Sequence, residues 1–110
     1  MGDTINFDSW QMKPLLFGLI TQVVLPFNND TMNIEEGDVY GICFNSDEFR
    51  DYKLVVTNVT FTNLKKLSNK DISKNGFIYK PAFISFMKSF RNIGNDSIVK
   101  VDFELMEKKL

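Results

Sequence analysis

The stretch MKPLLFGLITQVVLPF, residues 12–27, is the most apolar part of this chain, and how it is read decides the fold. It could be a membrane segment, a core strand or an altered active-site strand. Gly18, Gln22 and Pro26 interrupt it, and it falls short of the roughly 20 apolar residues that cross a bilayer. Asp8 or Ser9 can cap a helix running toward Phe17, with Pro14 tolerated only in its first turn and Gly18 at the left-handed position where helices end. TQVVLPF then reads as a β-branched extended segment stopped by Pro26. The stretch therefore predicts a short helix, a turn and a buried strand.

Outward from it, TINF is a short strand and NNDTMN a loop. EEGD turns into VYGICF, and NSDEFRD is expected to be a second turn before the long Val- and Thr-rich strand YKLVVTNVTFTNL. In SIVKVDFEL, Val99, Val101, Phe103 and Leu105 alternate with Lys100, Asp102 and Glu104, the period of a strand with one buried face. Between these strands, Ser68 and Asp71 have capping-box spacing before a helix stopped by Gly76. In KPAFISFMKSFR, Pro81 starts a second helix whose Phe83, Phe86, Met87 and Phe90 share one face. The order β-α-β-β-β-α-α-β predicts one α+β domain over residues 1–110: a small, curved, mostly antiparallel sheet or barrel with two to three short helices.

Composition narrows the chemistry. With 110 residues, no His and a single Cys, the chain lacks the commonest general base, the usual metal ligand and any intrachain disulfide. No metal and no cofactor are expected, and neither is membrane contact. Residues 1–13 do not have the pattern of a secretory signal, which points to a cytoplasmic protein. Charge is uneven beneath a net of −1: residues 1–48 carry one lysine against eight acidic side chains, while residues 49–110 carry twelve basic and six acidic ones. Such a basic half can contact phosphates, although it can also be an ordinary solvated face.

The run from Met12 to Pro26 resembles the signature of the ASCH domain family, which has a PUA-like β-barrel, in the form common among phage and prophage members. There a helix ends in Gly and continues Gly-Arg-Lys-Thr-Gln-Thr-Arg-Arg-Pro, and Gly18, Thr21, Gln22 and Pro26 match in register. Gly37-Asp38, VTFTNLKKLSNKDISKNGF and IVKVDFEL are similar to later family segments in the same order. The resemblance implies a cleft in which enzymatic members, hydrolysing N4-acetylcytidine, use a Lys and a Thr from this stretch and a Glu from the end of the short helix. At the matching positions this chain has Ile20 for the Lys, Val23 for the Thr, Leu25 for an Arg and Asn75 for the Glu. None of the four can act as base, nucleophile or cation, so the site is expected to be degenerate and the protein not to be an enzyme.

Two functional expectations follow. The first is a non-catalytic module that binds a protein, for instance a phage-encoded inhibitor of a host or defence protein. Its surface would comprise Ile20, Gln22, Val24 and Phe27 with the acidic Asp30, Glu35 and Glu36, provided these apolar side chains are exposed and do not simply fill the cleft. The alternative is an RNA- or nucleotide-binding PUA-like domain using Lys65, Lys66, Lys70, Lys74 and Lys88.

Overall fold

The computed structural model describes residues 4–44, 47–93 and 97–106, with backbone only for residues 47–51. Five strands form one sheet: β1 (Thr4–Phe7), β2 (Gln22–Pro26), β3 (Val39–Phe44), β4 (Asp47–Asn63) and β5 (Ser97–Met106). Their spatial order is β1-β3-β4-β5-β2, so β1 and β2 are opposite edges and the sheet does not close into a barrel. All pairings are antiparallel except β1 with β3, a parallel contact between strands far apart in sequence that no local pattern announces. Among the described residues three α-helices complete the fold: α1 (Met12–Leu16), α2 (Asn69–Lys74) and α3 (Lys80–Phe90). Among the described residues no helix is long and apolar enough to cross a membrane.

Local chemistry accounts for these elements. Asp8 caps a 3₁₀ turn at Ser9–Gln11 through a reciprocal box with Gln11, and α1 follows for only five residues before Gly18 adopts φ +77°. Ser68 and Asp71 form the expected capping box of α2. The second turn expected over NSDEFRD does not span that segment: β4 already begins at Asp47, with Phe44 opposite Asp47, and Asn45 and Ser46 lie outside the described residues. In β4 a bulge between Val56 and Asn58 adds one residue against β5. This extra residue keeps Val59 on the same face as Leu54 and Val56, which strict alternation would have reversed.

Apolar side chains line both faces of the sheet. Beneath one face, Phe7, Leu15, Ile42, Leu54, Val56, Val99, Val101 and Phe103 form the larger core. On the other, Ile98 and Val24 meet Leu64, Leu67, Ile72, Phe83 and Met87 of the helical side. β2 contributes to both cores, Val23 and Leu25 to the first and Val24 to the second. That is why its sequence reads as a continuous apolar run rather than an alternation.

Arg91, which ends α3, is not a solvated cation. Its guanidinium lies over the rings of Phe90 and Phe7, 4.9 and 5.8 Å from their centroids, and burial lowers its pKa to about 10.

Candidate functional site

The positions at which the resemblance puts the cleft lie where β2 begins, between α2 and β5. Gln22, the first residue of β2, sits opposite Asp102 of β5. Asp71 and Asn75 are four apart, so both project from one side of the short helix, and Lys100 lies two residues from Asp102 on the same strand face. Packing α2 over the β2–β5 edge brings these groups together. Gln22 is 1% exposed and both ends of its amide are engaged: Nε2 donates to Asp102 Oδ1 at 2.9 Å and Asp71 Oδ1 at 3.2 Å, while Oε1 accepts from Asn75 Nδ2 at 2.8 Å. Asn75 Nδ2 also donates to the Asp71 carbonyl at 2.8 Å. Lys100 Nζ lies 3.2 Å from Asp71 Oδ1, and Lys74 Nζ 3.9 Å from Asp102 Oδ1.

Burial alone would raise the pKa of Asp71. Hydrogen bonds from the Ser68 N–H, the Gln22 amide, the Lys100 ammonium and the Ser68 hydroxyl outweigh it and hold the carboxyl at about 2, against an ordinary 3.8. A depressed folded value means that the carboxylate's contribution is complete above pH 3.8 and disappears as pH falls through about 2. The urea midpoint should therefore drop over that window, and Asp71→Asn should flatten the drop. An unchanged acid limb in Asp71→Asn would show that other carboxylates govern it.

All four positions that the resemblance aligns with the family's reactive residues are buried: Ile20 1%, Val23 3%, Leu25 6% and Asn75 4% exposed. Ile20 packs in the larger core beneath Trp10 and Gly76; a Cβ on Gly76 would lie 3.1 Å from Ile20 Cδ1 and Cγ1 and 3.5 Å from Trp10 Cζ3. Since Gly76 also has φ +86°, Gly76→Ala should cost about 1–2 kcal/mol from backbone strain alone. Thermal melts monitored by Trp10 fluorescence would measure it. Adding Ile20→Val should return only the part due to crowding.

The exposed strip expected from Ile20, Gln22 and Val24 does not exist: all three are at most 1% exposed, because β2 is covered on both faces. Phe27, Asp30, Glu35 and Glu36 of that set do reach the surface, with Phe27 edge-on to Phe61 at 5.7 Å beside a shallow hollow of about 310 Å³. Of the lysines, Lys65, Lys66, Lys70 and Lys88 are exposed, whereas Lys74 belongs to the polar cluster with Asp102. Reading the sequence missed Asp71, Asp102 and Lys100 as half-buried members of a cluster around the buried Gln22 and Asn75. The available signal was the polar face of β5, which looks like a solvated face until a helix is placed on it. Among the described residues no group of three or more His, Cys, Asp or Glu side chains could hold a metal ion.

Apart from Phe27, the apolar side chains that emerge from the opening stretch lie at its turn. Phe17 is 77% and Leu19 67% exposed, on either side of Gly18. Phe17 borders a groove of about 430 Å³ running from α1 to the end of β5, lined also by Leu16, Ile20, Thr21, Glu104 and Leu105.

This arrangement, an open mixed sheet with short helices around β2, is the ASCH fold. An ASCH domain from Lactobacillus crispatus JV V101 superposes with a TM-score of 0.67 at 13% identity, covering 94% of this chain and 77% of that one. The protein EF3133 from Enterococcus faecalis V583, of the family DUF984, gives 0.66 at 14% identity over 88% and 70% of the two chains. The hypothetical protein PH0355 gives 0.70 at 14% identity over 92% and 95%. No family model matches the sequence, and no curated protein does.

Proposed function

We propose that this small domain of the ASCH fold is a non-catalytic module that works by contact with another protein. The observation that carries the reading is the apolar turn Phe17-Gly18-Leu19, which holds two large side chains in water, Phe17 at the rim of a groove. Apolar groups clustered at the mouth of a concave surface mark interaction sites on soluble domains. The filled cleft supports the same reading. Where the resembling enzymes keep reactive groups, Ile20, Val23 and Leu25 fill the core and Asn75 is hydrogen-bonded to Gln22. Inhibition of a host protein, the role suggested by the resemblance to phage members, is one form such contact takes.

The test is a pull-down from lysate with the full chain, beside a folded Phe17→Ser, Leu19→Ser variant, with RNA recovery measured in parallel. A stoichiometric protein partner lost from the variant is expected. Salt-sensitive RNA recovery untouched by the variant, without a protein partner, would move the function to Lys65, Lys66, Lys70 and Lys88.

A further inference from the structure

β5 outruns its neighbour. β2 begins at Gln22 opposite Asp102, whereas β5 continues to Met106 and stays paired with β4 on its other side. The direction of its backbone groups follows from two bonds. The Phe103 N–H donates to the Thr21 carbonyl at 3.0 Å, so Phe103 and, two residues on, Leu105 turn their backbone polar groups toward the β2 side. Val56, opposite Phe103, turns its own groups the other way: its N–H donates to the Asp38 carbonyl and its carbonyl accepts from the Gly37 N–H.

A continuing β2 would have met Leu105, but the chain leaves the sheet there. The N–H groups of Leu19 and Ile20 both donate to the Pro14 carbonyl, at 2.8 and 3.3 Å, and that of Thr21 donates to the Lys74 carbonyl at 2.9 Å. Among the described residues no backbone bond reaches Leu105 from that side. The vacated lane is the groove, with Leu15, Leu16 and Phe17 along one wall and Phe103, Glu104 and Leu105 along the other.

We infer that this groove binds an extended peptide by strand addition to the Leu105 edge of β5, with apolar side chains seated toward Leu16 and Phe17 and a basic side chain set against Glu104. This names the partner chemistry of the protein-binding reading above and rests on it. An unpaired strand edge takes an extended chain through its main-chain groups, and alternating side chains then supply selectivity. Here the alternation is prescribed. Leu15 and Phe103 belong to the larger core and Leu105 packs against it, so that face accepts apolar groups. Glu104, exposed on the opposite face of the strand, accepts a cation at the next position.

The experiment uses the full chain against a bead library of terminally blocked random pentapeptides. Selected sequences should alternate apolar residues with Lys or Arg. Glu104→Lys should weaken them about tenfold, a difference of about 1.4 kcal/mol, and shift selection toward Asp or Glu. Leu105→Pro removes only the groove-facing N–H, since the bonds to β4 come from Glu104 and Met106, and should abolish selection. If Leu105→Pro fails to fold by circular dichroism, Glu104→Lys decides. No selection above bare beads, or selection unchanged by Glu104→Lys, overturns the inference. Should the inference fail while Phe17→Ser, Leu19→Ser still loses a protein partner, the protein-binding reading stands and only the strand-addition mode is lost. Retention of the partner by that variant sinks the broader reading.

Discussion

Ile20→Lys, which restores the residue found in the resembling enzymes, should lower stability by about 3–5 kcal/mol, the cost of an unpaired charge left in a core. The side chain it replaces is 1% exposed, in contact with the closest approach of Gly76 and part of the larger core. Ile20 also lines the groove beside α1, so the ammonium escapes the penalty only by turning into that groove; held in the core it loses its hydration without a counter-ion in place. Urea unfolding at pH 7 measures the effect, and the loss should shrink at high pH as the lysine deprotonates. A stable variant with an unaltered Trp10 spectrum would mean that the cleft opens readily, and with it the filled-cleft support for a non-catalytic role would go.

The second large effect is expected at Gln22. Gln22→Glu is nearly isosteric, yet it replaces the amide that donates to both Asp71 and Asp102 with a third carboxylate facing them. At pH 7 the fold should lose about 3 kcal/mol, within the range for a buried charge left without its partner. The pH dependence supplies the signature. Repulsion and burial raise the folded pKa of the introduced carboxyl above its unfolded value, so the variant's stability is greatest at acidic pH and falls as pH rises through the folded pKa. Wild type should show the reverse trend on the acid side, where Asp71 loses its charge. A variant with the wild-type pH profile would show that Gln22 does not bridge the two carboxylates in solution.

Much of the local structure was legible from residue order. The Ser68–Asp71 box, the glycine stops at Gly18 and Gly76, the shortness of α1 and the apolar face of β5 are each set by groups within a few residues of one another. The family likeness rested on such local features strung in order, and the fold agrees with it. The β1–β3 pairing, the bulge before Asn58 and the early start of β4 depend on register between distant segments, which no short window contains.

The candidate site divides along the same line. Sequence alone determined that Ile20, Val23, Leu25 and Asn75 offer no base, nucleophile or cation, because that is a property of the side chains themselves. Only the tertiary structure decided that Ile20, Gln22 and Val24 are interior while Phe17, Leu19 and Phe27 of the same stretch are left in water. Alternation tells which residues share a face of a strand, but a helix or a second core has to arrive before that face is covered. α2 and α3 cover one side of β2 and the larger core the other, so the exposed apolar surface moves to the turn at Gly18, where the chain leaves the sheet and vacates the lane beside Leu105.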